Sequence, residues 1–235
     1  MDRKELIAIR LNLLKRNFHP DHTPTLVAVS KKMPFEDIAF AYKAGVVDFG
    51  ENRVEELVKK SQMAMDEGLN IRWHYIGNIQ SKKVNKLFKC PNLHAIHSVD
   101  SFQTLQTLVE KSDILRHPVQ TFLQVNTSNE KEKAGFIEWD DIAAAINLFL
   151  KNEDSLALKL HGLMTMSKFR TDNFEEDALK CFEHLVKVRD SLVEDFDLGE
   201  LKLSMGMSSD FEQALQAGTN YLRIGSTIFA PDSNS

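Results

Sequence analysis

Short apolar runs alternate with longer, charged, amphipathic stretches from Thr25 almost to the end of the chain, and this alternation restricts the fold more than any other feature. Strand-type runs occupy residues 25–30, 46–49, 71–76, 93–99, 119–125, 158–164, 201–205 and 221–224. Between them, helical spacing predicts helices over 36–44, 52–65, 81–88, 102–115, 140–150, 174–193 and 211–217. Repeated βα units demand parallel strands, because each helix carries the chain back across the sheet. Eight such units fit a closed α/β barrel of the (β/α)8 TIM type. Leu6, Ile9, Leu11, Leu13 and Leu14, mixed with charges, predict one extra amphipathic helix at the N-terminus. An open doubly wound sheet is the structural rival. It calls for a glycine-rich turn after the first strand, where this chain has Ser30-Lys31-Lys32-Met33-Pro34. No Pro/Gly/Ser-rich linker divides the chain, so residues 1–235 are read as one domain.

Bulk properties narrow the function classes. A formal net charge of -5 and no basic block argue against general nucleic-acid binding. Cys90 and Cys181 stand far apart with no CxxC spacing, which disfavours a disulfide framework or a zinc site. No apolar run approaches membrane-spanning length, and residues 1–18 lack a secretory signal's unbroken apolar core. The expected compartment is the cytoplasm. His22, His94, His97, His117, His161 and His184 show no metal-ligand spacing and are read as surface or packing histidines, so no metal site is expected.

In a barrel of this type the C-terminal strand ends build the active site. The first strand ends in Val27-Ala28-Val29-Ser30-Lys31, and a period of two puts Lys31 on the face of Val27 and Val29. An apolar neighbourhood and the adjacent Lys32 are two reasons for a lowered amine pKa, the state in which lysine attacks aldehydes. An ordinary solvated lysine pair is the competing reading. In the eighth strand, Leu222 and Ile224 face the outer helices, so Arg223 points into the barrel mouth and needs an acceptor there. That acceptor is a ligand carboxylate, phosphate or ring nitrogen, or else a structural acid. Gly206, Ser208 and Ser209 after strand seven, and Gly225 and Ser226 after strand eight, form two adjacent loops suited to a phosphate, with Asp210 placed to cap the helix that follows. Plain turns and caps would use the same residues.

The motifs in order are Ala28-Val29-Ser30-Lys31, Phe49-Gly50-Glu51-Asn52, Trp73-His74-Tyr75-Ile76-Gly77 with Gln80-Ser81, and Gly162-Leu163-Met164. They continue with Leu203-Ser204-Met205-Gly206-Met207-Ser208, Leu222-Arg223-Ile224-Gly225 and Ile228-Phe229. Asn126, Glu130, Lys133 and Gly135 add a fifth-strand loop. Together, from about residue 4 to residue 231, they resemble the pyridoxal-phosphate homeostasis protein family, also described as YggS-like or proline synthase co-transcribed. The resemblance implies a barrel like the N-terminal domain of alanine racemase. It implies pyridoxal 5'-phosphate (PLP) held as an imine on Lys31, with Arg223 facing the pyridine nitrogen. Ser208, Ser209, Gly225 and Ser226 match positions around the phosphate, and Asn52 and His74 match positions lining the cofactor pocket. Ser209, Asn78, Lys82, Ser226 and Ala230 depart from the common family pattern, which bears on individual hydrogen bonds.

A ring nitrogen paired with arginine is a weaker electron sink than one paired with aspartate. Racemases of this type also carry a C-terminal β-domain that supplies a second base, whereas this chain stops at Ser235, soon after the eighth strand. The expectation is therefore a non-catalytic PLP carrier or buffer, a monomer that exchanges cofactor with apo PLP-dependent enzymes. A PLP-dependent amino-acid racemase is the first alternative. A lysine-imine aldolase acting on a phosphorylated sugar is the second.

Overall fold

The computed structural model describes residues 2–128, 130, 132–153, 156–168 and 171–231, so Met1 and residues 232–235 of the expected domain lie outside the described residues. The chain opens with helix α1 (Arg3–Lys15) and strand β1 (Thr25–Val29), then runs α2 (Phe35–Lys43), β2 (Asp48–Glu51), α3 (Val54–Asp66) and β3 (Arg72–Tyr75). A 3-10 turn (Ser81–Lys83) leads into the short α4 (Val84–Leu87), followed by β4 (Leu93–Val99), α5 (Phe102–Glu110) and β5 (Val119–Gln124). The order finishes with α6 (Trp139–Lys151), β6 (Leu158–Met164), α7 (Phe174–Asp195), β7 (Lys202–Ser204), α8 (Phe211–Gln216), β8 (Tyr221–Ile224) and α9 (Ser226–Phe229). The strands pair in parallel in chain order, and β8 returns to β1 through Thr25–Tyr221 and Val27–Arg223 neighbours, which closes the barrel. The open-sheet rival is thereby excluded.

Two boundaries differ instructively from the sequence reading. The second strand begins at Asp48 rather than at residue 46. Gly45 takes the left-handed conformation (φ +87°) at the end of α2, and the Val46 N–H donates back to Ala41 O at 3.1 Å. That pairing satisfies a late helix carbonyl and holds Val46 out of the sheet. The predicted helix over 102–115 breaks after Glu110 into a separate 3-10 turn, Ser112–Ile114. There the Ser112 hydroxyl donates to Val109 O at 2.7 Å, a local bond that competes with helix continuation.

The strand period of two sorts the core into a jacket and an interior. Leu26, Ala28, Phe49, Trp73, Leu123, Leu163, Leu203, Leu222 and Ile224 are buried outward, between sheet and helices. Val27, Ala95, Phe122, Met164 and Tyr221 form a smaller apolar cluster of their own. Barrels of this type fill the interior mainly with branched apolar side chains. Here Asp48, His74, His97, Ser204 and Arg223 are also buried, and hydrogen bonds link them directly. The N-terminal helix is tied to both ends of the barrel wall. Arg3 pairs with Asp37 of α2 at 2.5 Å and donates to Phe229 O at 2.8 Å, at the end of α9.

Candidate functional site

The C-terminal strand ends surround a cavity of about 1020 Å³. Val29, Ile76, Met164, Met166 and Met207 give it apolar walls, and Lys31, Arg223 and the Ser208, Ser209 and Ser226 loops give it polar ones. Lys31 follows directly on β1, and the turn that presents it is firmly held. Ser30 N–H donates to Gly50 O at 3.0 Å, Met33 N–H donates back to Ser30 O at 3.0 Å, and Lys32 is left-handed at φ +64°. Behind the turn, Lys60 Nζ donates to Ser30 O at 2.8 Å and to Glu51 Oε1 at 2.6 Å, while the Ser30 hydroxyl donates to the same Oε1 at 2.8 Å. Burial pushes the Glu51 carboxyl up, and the Lys60 and Ser30 hydrogen bonds pull against that. The Lys31 residue itself is exposed, and among the described residues its amine makes no hydrogen bond or ion pair. The expected apolar surroundings are thus on one side only, where Val29 lines the cavity.

Arg223 lies 5 % exposed at the cavity floor. Leu222 and Ile224 are fully buried in the outer jacket, as their alternation requires. The acceptors for Arg223 are neutral: one guanidinium nitrogen donates to Ser204 Oγ at 2.7 Å and the other to Thr165 O at 2.9 Å. Burial lowers its pKa to about 10, opposed by the negative charge of Asp210, so it remains a cation at neutral pH. A buried cation held only by neutral acceptors retains capacity for an electron-rich partner.

The two terminal loops interlock. Ser208 Oγ accepts from the N–H groups of Gly225 and Thr227, both at 3.2 Å. The expected capping role of Asp210 is corrected: its side chain reaches back instead of forward. One oxygen accepts from Met207 N–H at 2.6 Å and the other from the Ser167 hydroxyl, so Asp210 braces the loop that carries Ser208 and Ser209. Gly206 is left-handed at φ +93°, and a Cβ there would stand 2.5 Å from Ala214 Cβ. Hydroxyls and backbone N–H groups clustered at loop tips suit an anion with several acceptor oxygens.

Seven of the eight expected site residues, Lys31, Asn52, Ser208, Ser209, Arg223, Gly225 and Ser226, line this one cavity. His74 does not. It lies on β3, two residues before Ile76, but Ile76, just past the strand, lines the cavity while His74 is fully buried beneath it. There its Nε2 bonds Asp48 Oδ1 at 2.9 Å and its Nδ1 bonds His97 Nε2 at 2.9 Å. Of the histidines read as surface or packing groups, His22, His117 and His184 are exposed, and His97 packs in the interior. His97 is a fully buried hydrogen-bonding group, stacked on Phe122 at 4.3 Å, and bonded through Nδ1 to Ser204 Oγ at 2.8 Å. Asp48, His74 and His94 also bring ligand-type atoms within 4.8 Å of one another. Hydrogen bonds already use the Asp48 and His74 atoms, and Arg72 sits 2.6 Å from the same carboxylate.

The sequence reading gave no role to Thr165 or Ser204 and gave Asp210 a different one. Ser204 had a readable signal: it alternates with Leu203 and Met205, so a period of two turns it inward. The other two act through a backbone carbonyl and a backward reach, which no spacing announces. Among the described residues that line the cavity, the ionisable groups are Lys31, Arg53 and Arg223.

The pattern of the family described as "Alanine racemase, N-terminal domain" matches residues 5–232. The pyridoxal phosphate homeostasis protein of Schizosaccharomyces pombe is 35% identical over 204 residues, covering 87% of this chain and 82% of that one. The human protein of the same name is 35% identical over 216 residues, covering 89% and 77%. Among solved structures, PipY of Synechococcus elongatus PCC7942 with PLP bound superimposes with a TM-score of 0.79 at 30% identity, over 95% of this chain and all of that chain. Alanine racemase of Clostridium difficile 630 shares the fold at a TM-score of 0.75 and 15% identity, with 97% of this chain matched to 57% of the racemase. With the closed parallel barrel and the ordered motifs, these similarities place the chain in the pyridoxal phosphate homeostasis protein family, built on the alanine racemase N-terminal domain fold.

Proposed function

We propose that the cavity holds pyridoxal 5'-phosphate, with Lys31 Nζ as the point of covalent attachment, and that the chain stores and releases this cofactor without turning over a substrate. One observation carries the reading: a single cavity sets an exposed primary amine, a buried arginine and an interlocked hydroxyl and N–H cluster around apolar walls. Those three groups match the three polar features of the cofactor, an aldehyde, a ring nitrogen and a phosphate. Two lining glycines also stand close against neighbouring backbone. A Cβ on Gly77 would fall 2.1 Å from Asn52 O, and one on Gly225 would fall 3.3 Å from Val29 O. When bound, the cofactor supplies an aldehyde that condenses reversibly with an amine, losing water.

The chain's own groups do the rest. Ser208, Ser209, Gly225 and Ser226 would hold the phosphate end, and Arg223 would donate to the ring nitrogen. Because Arg223 stays protonated, it leaves that nitrogen unprotonated and weakens the ring as an electron sink. Lys31 stands at an open mouth, where a second amine can reach the attachment point. Proton shuttling across two faces of a substrate needs two bases, and the ionisable groups among the described lining residues are Lys31 and two arginines, whose side chains only donate. The relatives' name and the PLP-bound PipY structure support cofactor binding. Delivery to apo PLP-dependent enzymes is part of the proposal, as is action by a single chain. No helix among the described residues is long and apolar enough to cross a membrane, in keeping with the proposed cytoplasmic setting.

Reconstitution with PLP, borohydride reduction and peptide mapping test the reading. The expected label is on Lys31, with none on Lys31→Ala, and the same sample should exchange no amino-acid α-proton with solvent deuterium at turnover rates. An unchanged chromophore on Lys31→Ala overturns the attachment site. Lys31-dependent α-proton exchange at turnover rates overturns the non-catalytic role in favour of a racemase-type enzyme.

A further inference from the structure

A continuous line of hydrogen bonds crosses the barrel interior beneath the proposed cofactor site. It runs from Arg223 to Ser204 Oγ (2.7 Å), from Ser204 Oγ to His97 Nδ1 (2.8 Å), from His97 Nε2 to His74 Nδ1 (2.9 Å) and from His74 Nε2 to Asp48 Oδ1 (2.9 Å). Arg72 closes it at 2.6 Å from Asp48 Oδ2. Ser204, His97 and His74 are wholly buried, and Asp48 is 4 % exposed. At the far end Asp48 and Arg72 line a second cavity of about 530 Å³, together with Thr25 and Leu26 at the start of β1. The line therefore connects opposite ends of the barrel.

Its polarity follows from the chemistry of its ends. A guanidinium only donates, so Ser204 Oγ accepts from Arg223. A carboxylate only accepts, so His74 Nε2 must carry the hydrogen shared with Asp48. Asp48 is held ionised by its His74 and Arg72 hydrogen bonds against the cost of burial, and burial keeps both imidazoles neutral. A neutral His74 with hydrogen on Nε2 has a bare Nδ1, so His97 donates through Nε2 and accepts through Nδ1. The bare His97 Nδ1 then takes the Ser204 hydroxyl hydrogen, so the Asp48 end sets both tautomers and the direction of the line. Every bond points from Arg223 toward Asp48, an arrangement in which neighbouring bonds polarise one another.

We propose that Ser204, His97, His74 and Asp48 are positioning residues that form a one-way hydrogen-bond relay, fixing the Arg223 guanidinium toward the cofactor ring and coupling its grip to the Asp48–Arg72 pair at the opposite end of the barrel. The proposal rests on the assignment of PLP to the upper cavity. It gives a function to two histidines and an aspartate that make no contact with that cavity. A buried polar line that only filled space would leave its tautomers indifferent to ligand.

The test is nitrogen-15 NMR of histidine-labelled protein before and after addition of pyridoxal 5'-phosphate, with borohydride labelling of Lys31 on the same sample. Before addition, His74 and His97 should both show a protonated Nε2 and a bare Nδ1. Addition should shift the His97 Nδ1 resonance, because Arg223 then divides its donation between Ser204 and the ring. In Ser204→Ala that shift should vanish and the PLP dissociation constant should rise about three- to tenfold, the loss expected for one hydrogen bond, while Lys31 is still labelled. His97 with hydrogen on Nδ1, or a His97 signal that ignores PLP although Lys31 becomes labelled, overturns the relay. The unaltered chain decides both points even if Ser204→Ala fails to fold. Absence of any Lys31 label in the unaltered chain overturns the cofactor assignment instead, and the tautomers then report on the relay alone.

Discussion

Lys60 sits behind the Lys31 turn, and Lys60→Met should unfold that support without touching the cavity. The side chain of Lys60 is 9% exposed and that of Glu51 is 0% exposed, and they meet at 2.6 Å. Removing the ammonium strands a buried carboxylate whose second oxygen, Oε2, already lacks a partner, and it takes one of two donors from the Ser30 carbonyl. Breaking one member of a buried ion pair costs about 3–5 kcal/mol. At about 2–4 °C per kcal/mol for a chain of this size, Tm should fall by roughly 6–20 °C. The pH dependence gives a sharper check. The folded-state pKa of Glu51 is raised, so the folded state binds this proton more readily than the unfolded state, and stability is lost as pH rises from the unfolded value toward the folded one. Without Lys60 the folded value climbs further, and every additional tenfold loss of Glu51 acidity should widen the variant's deficit by about 1.4 kcal/mol. Urea unfolding of parent and variant at pH 5 and pH 8 measures this, with Glu51→Gln/Lys60→Met as the control that removes the stranded charge. A deficit below about 1 kcal/mol, or one equal at both pH values, refutes the argument that burial governs this pair.

Three further outcomes follow from single groups. Gly77→Ala places a methyl 2.1 Å from Asn52 O, and because the obstacle is backbone it should cost at least about 1–3 kcal/mol in urea unfolding and weaken PLP binding as Asn52 is displaced. Asp210→Ala leaves Met207 N–H and the Ser167 hydroxyl unpaired, at about 1–3 kcal/mol for each buried group, and should loosen the Ser208 loop enough to raise the PLP dissociation constant by fluorescence titration. Burial depresses the pKa values of His74, His94, His97 and His161, that of His94 to about 4, so the unfolded state takes up these protons first as pH falls. Stability is then fully present above about 6.5 and lost on the way down toward 4, and His94→Asn should flatten the fall in urea midpoint between pH 6.5 and 4.5; an unchanged slope would remove His94 from the account.

The barrel was legible in the sequence because its determinants are local and repeated. Three strands, Leu93–Val99, Leu158–Met164 and Tyr221–Ile224, run over the predicted residues. Where the reading slipped, a local hydrogen bond outweighed hydrophobic pattern. Val46 is apolar and β-branched, yet its N–H is committed to Ala41 O by the left-handed Gly45, so the sheet starts two residues later. The cavity residues were legible for a related reason: strand ends in a closed barrel converge, so Lys31, Arg223 and two serine-rich loops had to meet once the topology was right.

The interior was not legible, because period two assigns a residue to a face but not to a depth. His74 on β3 and Ile76 just past its end are two residues apart, and the layer in which each stands is set by barrel tilt and stagger, which are properties of all eight strands together. The same ambiguity hid His97 and Ser204, whose partner lies 107 positions away in the chain. A sequence rule does follow from the physics. An inward arginine on one strand has to be answered by inward acceptors on its neighbours, since an unpaired buried cation is costly. Ser204 on β7 and Thr165 just after β6 are those acceptors, and the Ser204 hydroxyl keeps a hydrogen of its own to donate. In this barrel the Ser204 hydrogen is taken by a line of two histidines that ends at Asp48, a group that accepts without donating.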